Sequence, residues 1–121
     1  MKNFVILNEQ HKLKEEQIKI LNDKFGEGNW SIYSVPAKGW NAEEIDKIFI
    51  CLTSCNVVFA SPVPLLLVKI ATWSGFVSRH SRQGTSESPK VWVFHNDNRV
   101  KKQIGDKIIE VVADEGWQLL R

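Results

Sequence analysis

Phe4-Val5-Ile6-Leu7 is an unbroken apolar run closed by Asn8-Glu9-Gln10, the pattern of a strand buried on both faces. From Leu13 to Phe25 the period changes. Ile18, Leu21 and Phe25 recur at helical spacing, Glu15 and Glu16 fall in the first turn and Gly26 stops the run, which predicts a helix. Lys14 stands where a Ser or Thr cap is usual, so the start of that helix is poorly marked. Trp30 to Val35 alternates as a second strand, ended by Pro36. Asn41 and Glu44 then form a capping box for a helix carrying Ile45, Ile48, Phe49 and Leu52 on one face. Trp40 fits a hydrophobic staple against Ile45; flanked by Gly39 and Asn41, it also fits stacking on a base.

Val57 to Ala60 reads as a third strand, followed by Ser61-Pro62 and an apolar helix from Pro64 to Trp73 in which only Lys69 and Thr72 are polar. Ser61 is placed as the cap of that helix and Pro62 just inside it. So apolar a helix is buried on most sides, and a chain of this length has little to cover it with, which predicts a homodimer. Ser74 to Lys90, with Gly75, Gly84, Pro89 and six Ser or Thr residues, predicts a loop of a length suited to a lid. Val91 to Phe94 is a fourth strand. Val100 to Leu120 reads either as a helix capped by Asp106 or as a hairpin turning at Gly105-Asp106; β-branched Ile108, Ile109, Val111 and Val112 favour the hairpin. The alternation implies one α/β domain over 1–121: a compact Rossmann-like open parallel sheet with flanking helices and a C-terminal β-hairpin.

Composition narrows this only a little. The chain is 43% apolar and 25% charged with a net charge of +2, ordinary for a soluble globular protein. Met1 to Ser78 holds eight basic and eight acidic residues, whereas Arg79 to Lys107 holds seven basic against three acidic. The first apolar run is too short for a signal peptide or a spanning helix, so a cytoplasmic protein without a membrane partner is expected. Cys51 and Cys55, four apart, match neither zinc nor redox spacing and read as buried packing residues.

In an open parallel sheet, ligands lie beyond the carboxyl ends of the strands. Those ends here are Asn8-Glu9-Gln10-His11, Ser34, Ser61 and His95-Asn96-Asp97-Asn98-Arg99, with Lys101 and Lys102 just beyond. No phosphate loop, dinucleotide fingerprint or nucleophile elbow is present, and His11, His80 and His95 lack metal-ligand spacing, so no metal or cofactor is implied. What remains is an anionic ligand held by amides, Asn, Gln and Ser side chains and a basic rim, with Asn8, Gln10, Ser34, Ser61, Asn96, Asn98 and Arg99 as binding candidates. His95 is the group placed for proton transfer. Arg79, His80 and Arg82 are lid candidates.

The strand ending Ile6-Leu7-Asn8, the helix opening Lys14-Glu15-Glu16-Gln17, the strand running into Ser61-Pro62 and the terminal pair of strands resemble, over nearly the whole chain, the small stand-alone CRISPR-associated proteins with a CARF-type Rossmann fold, the group that includes ring nucleases. The resemblance implies a homodimer that binds a cyclic oligoadenylate second messenger across its two-fold axis in type III CRISPR defence, with no DNA partner. Some members cleave the ring without metal; here His95, Lys101 and Lys102 would carry that step. Asn8 matches the polar residue closing the first strand, and His95 through Lys102 match the segment after the fourth. The chain departs from the family in its long segment from Ser74 to Lys90 and in having Asn8 where Ser or Thr is common. A non-enzymatic RNA-binding or protein-interaction module using the basic 79–107 region is the other reading of the same residues.

Overall fold

The computed structural model describes residues 1–80, 89–112 and 115–121, and the backbone alone of Arg99, Val100, Lys102, Ile104, Ile109 and Val112. Four strands are parallel neighbours: β1 (Asn3–Asn8) lies between β2 (Ser31–Val35) and β3 (Asn56–Phe59), and β4 (Val91–His95) lies beyond β3. The chain steps from β1 to β2 in one direction and then past β1 to β3 and β4 in the other. Right-handed crossovers put the connecting helices of such a path on opposite faces. Accordingly α1 (Glu15–Phe25) packs Leu21 on Val5, Val58, Trp92 and Phe94, while α2 (Ala42–Leu52) and α3 (Pro64–His80) pack Ile45, Leu52, Leu66 and Ile70 on Ile6, Val57 and Phe59. Buried strand residues alternate between the two cores, which is why the strands read as continuous apolar runs.

The helix starts have local causes. α2 carries the expected capping box: the Glu44 amide donates to Asn41 Oδ1 at 2.8 Å and the Asn41 amide to Glu44 Oε1 at 3.2 Å. Trp40 is half-buried, packs against the core cluster that contains Ile45 and meets Tyr33 edge-on at 5.8 Å. For α1 the signal is Gln17, whose buried side-chain carbonyl accepts from the Lys14 amide at 2.8 Å. Cys55 is buried as expected; Cys51, on the outer side of α2, is exposed.

Three expectations are corrected. Ser61 does not cap α3, which begins at Pro64, with Pro64 rather than Pro62 in the first-turn position. Instead, Ser61 bonds across to β1. The helix does not stop at Trp73 but runs to His80, so Ser74 to His80 is not loop; residues 81–88, with Arg82, lie outside the described residues. Contacts hold the extra turns despite Gly75, which costs a helix about 1 kcal/mol relative to Ala. Trp73 Nε1 donates to the Thr53 carbonyl at 2.7 Å, and the rings of Trp73, Phe76 and His80 stack with centroids 5.9 and 4.2 Å apart. Finally, the sheet is not wholly parallel. After the expected hairpin of β5 (Arg99–Ile104) and β6 (Lys107–Val112), turned at Gly105 with φ +60°, a short β7 (Gln118–Leu120) adds to β4 antiparallel.

Candidate functional site

The chain reverses direction between β1 and β3, the position at which open α/β sheets admit ligands. Asn8 and Ser61 occupy it. The Asn8 amide donates to Ser61 Oγ at 2.8 Å, and Ser61 is 4% exposed. The Ser61 amide and that of Ala60 both reach the Ile6 carbonyl, so β3 is tied back to β1 as it ends. Asn8 Oδ1 accepts from the Gln10 amide at 2.9 Å, an Asx turn that folds the loop over the strand end and leaves the Asn8 side-chain NH2 as a donor. Gln10 itself is exposed. Glu9 braces the neighbouring loop, its amide donating to the Val35 carbonyl and its carboxylate accepting from the Ala37 amide, both at 2.8 Å.

His95 stands one strand further along. β3 ends at Phe59, which pairs with Val93, and β4 ends at His95, so Ser61 and His95 both lie at the carboxyl edge of the sheet. His95 Nε2 lies 2.5 Å from Asp97 Oδ1, and both side chains are exposed. A carboxylate can only accept, so this bond uses Nε2–H and leaves Nδ1 as the nitrogen with a free lone pair in the neutral ring. The sequence does not single out Asp97: only the turn in which the Asn98 amide donates to Asn96 Oδ1 brings its carboxylate to the imidazole.

The helix ends add a distinction. The first turns of α1 and α2 carry Glu15 and Glu16, and Glu43 and Glu44, whereas the first turn of α3, which follows Ser61, carries no acid. Its partial positive charge is therefore left open toward the carboxyl edge.

Not every candidate joins this group. Asn96 is 4% exposed and its amide is occupied, Nδ2 donating to the Glu115 carbonyl and Oδ1 accepting from the Asn98 amide, so it builds the turn toward β7. Asn98 sits in that same turn, beside Gly116. Ser34 is exposed on edge strand β2, one residue short of Val35, which pairs with Asn8. Lys101 is exposed on β5 opposite Glu110, and Arg99 and Lys102 lie on the same ribbon, paired by backbone to Val112 and Ile109. That ribbon is a separate two-stranded sheet. Arg79 and His80 end α3, one helix length of roughly 25 Å from its start near Ser61, so these two do not cover the carboxyl edge. Of the described basic residues of the 79–107 region, Arg79 and His80 end α3, Lys90 precedes β4, and Arg99, Lys101, Lys102 and Lys107 lie on the β5–β6 ribbon.

No three His, Cys, Asp or Glu side chains gather into a metal-binding group among the described residues, and no described helix is long and apolar enough to cross a membrane. Comparison with protein-family models, curated proteins and solved structures returned no match.

Proposed function

We propose that the chain is a CARF-type Rossmann-like protein that binds a cyclic oligoadenylate at the carboxyl edge of its sheet, as a homodimer, and cleaves it without metal. The observation that carries the reading is the Asn8–Ser61 bond at the point where the strand order reverses, with His95 at the carboxyl end of β4. A ring of adenylates presents phosphates linked by ribose, and this edge offers what phosphates need: the Asn8 NH2, the Gln10 amide group, and a helix start without acidic residues. Arg99, Lys101 and Lys102 come next along the chain, on the separate β5–β6 ribbon.

Cleavage asks little more of the protein than geometry and a proton carrier. A ribose 2′-oxygen attacks the adjacent phosphorus and the bond to the 5′-oxygen breaks, leaving a 2′,3′-cyclic phosphate and a 5′-hydroxyl. His95 takes the 2′-hydroxyl proton on Nδ1, Asp97 holds the ring through Nε2–H, and the departing 5′-oxygen takes a proton from water, whose hydroxide is neutralised by the proton that His95 then releases. Incubation with cyclic oligoadenylate in excess chelator, with chromatography of the products, tests the enzymatic half. A linear product is expected; an intact ring at stoichiometric protein removes cleavage and leaves a sensor.

A further inference from the structure

β4 leaves the sheet at His95, and β7 re-enters it at Gln118, which pairs with His95. The β5–β6 ribbon is therefore an insertion at the tip of a β4–β7 hairpin, rooted on the carboxyl edge beside the candidate site. Its root is well bonded. Buried Asn96 donates from Nδ2 to the Glu115 carbonyl at 2.8 Å and accepts the Asn98 amide on Oδ1 at 2.9 Å, while the Gly116 and Trp117 amides both donate to Glu16 Oε1 on α1. The two legs are thus held to each other and to the first turn of α1, so the ribbon leaves the body at a fixed point.

Beyond the root the ribbon has little to rest on. It forms a sheet of its own, and among the described residues none of its members joins either core cluster; Lys101, Gln103, Lys107, Ile108 and Glu110 are exposed. A lone two-stranded ribbon is marginal in water and gains from a surface to pack on. The pairing register puts Val100, Ile104, Ile109 and Val111 on one face, together with Lys102 and Lys107. Apolar residues interleaved with lysines suit a nucleotide, whose base offers a flat π-face and whose phosphate is anionic. Length decides what the ribbon can reach. Strands of 6 residues, rising about 3.3 Å each, carry the Gly105 turn roughly 20 Å from the root, whereas β1 lies two strand spacings, about 10 Å, from β4, and β2 three, about 14 Å.

We propose that the β5–β6 ribbon is a lid that folds from its root across the carboxyl edge and closes its lysine-bearing face over a nucleotide ligand. The inference rests on the proposed function for the ligand, but closure is a property of the chain and is read without one.

Disulfide trapping reads it. In a Cys51→Ser background, His11→Cys, on the loop after β1, and Gln103→Cys, about 13 Å along the ribbon from Arg99, are both exposed positions. On mild oxidation of the free protein they are expected to form an intramolecular disulfide, seen as a species of protomer mass without free thiols. Adding whichever of cyclic tri-, tetra- and hexa-adenylate binds should speed its formation at least about tenfold by shifting the population toward the closed form. Gln103→Cys alone should leave the native Cys51 free, because Cys51 lies near the end of α2 that leads into β3, at the opposite edge of the sheet. No disulfide with or without the cyclic ligand overturns the lid, and capture of Cys51 as readily as of His11→Cys overturns it too, marking an undirected tether. Shortening the ribbon to an Asn-Gly turn between the paired Val100 and Val111 keeps the root; with the fold checked by circular dichroism, it should raise the Kd for the cyclic ligand at least about tenfold through faster dissociation. A shortened chain that binds as tightly as wild type overturns the lid and leaves the proposed site standing. A wild type that binds no cyclic oligoadenylate removes the proposed function, and the disulfide in the free protein then decides the lid alone.

Discussion

Replacing Ser61 with Ala removes one oxygen from the centre of the candidate site and nothing else. That oxygen is the acceptor of the Asn8 amide, at 2.8 Å, in a residue 4% exposed. The amide keeps its place at the end of β1, hemmed in by the Gln10 and Glu9 contacts, and loses its partner. A buried donor left unpaired costs about 1–3 kcal/mol, and Asn8 is only partly covered, so a value toward about 1–2 kcal/mol is expected. With an unfolding entropy of about 2.1 cal/mol/K per residue, a chain of this length loses roughly 4 °C of Tm per kcal/mol, so Tm should fall by about 4–8 °C. Thermal circular dichroism measures the fall, and amide hydrogen exchange by NMR locates it: the Asn8 amide should lose protection while the amides of β3 keep theirs. A Tm within about 1 °C of wild type together with unchanged Asn8 protection would refute the view that Ser61 ties the two strand ends together.

Other outcomes follow from the same contacts. Gly116→Ala should destabilise by about 1–3 kcal/mol, because Gly116 has φ +94° and a Cβ there would collide with the Asn98 side chain; a denaturant midpoint equal to wild type would count against that turn. Glu16→Ala should free β7 by about 2 kcal/mol, since one Glu16 oxygen accepts from the Gly116 and Trp117 amides at 3.0 and 2.8 Å; faster exchange of the β7 amides is the readout. His95→Ala should slow ring cleavage by about 10²–10⁴-fold with affinity nearly unchanged. Asp97→Asn should lower the rate less and change the ¹⁵N signature of the His95 tautomer, a signature that stays fixed if Asp97 is a bystander.

Elements whose cause is local were legible in the sequence. The strand runs Phe4 to Leu7 and Val57 to Ala60, and the Asn41–Glu44 box, each carry their explanation within a few residues, and the structure repeats them with ends moved by a residue or two. Where the cause is distant, the reading slipped. Gly75 and the serines after Trp73 look like loop until the stacking of Trp73, Phe76 and His80 and the bond to Thr53 are known. β7 is three residues whose strand state depends on the open edge of β4 and on Glu16, about a hundred residues away. Ser61 was legible as a pivotal residue from its place between strand and helix, but the partner it takes is set by the pairing of β1 with β3. In the same way His95 was visible at a strand end, whereas Asp97 passed as one polar residue among several because only the folded turn brings it to the ring.

The claim on which the rest depends is that the carboxyl edge recognises a cyclic oligoadenylate. Calorimetric titration of the protein with cyclic tri-, tetra- and hexa-adenylate, and with linear oligoadenylate of equal length, tests it most directly. One ring size is expected to bind at least about tenfold more tightly than its linear counterpart, a difference of about 1.4 kcal/mol, and to lose that preference in Ser61→Ala. Equal affinity for linear and cyclic forms would mark an RNA-binding surface instead, and the absence of binding to any ring would contradict the account.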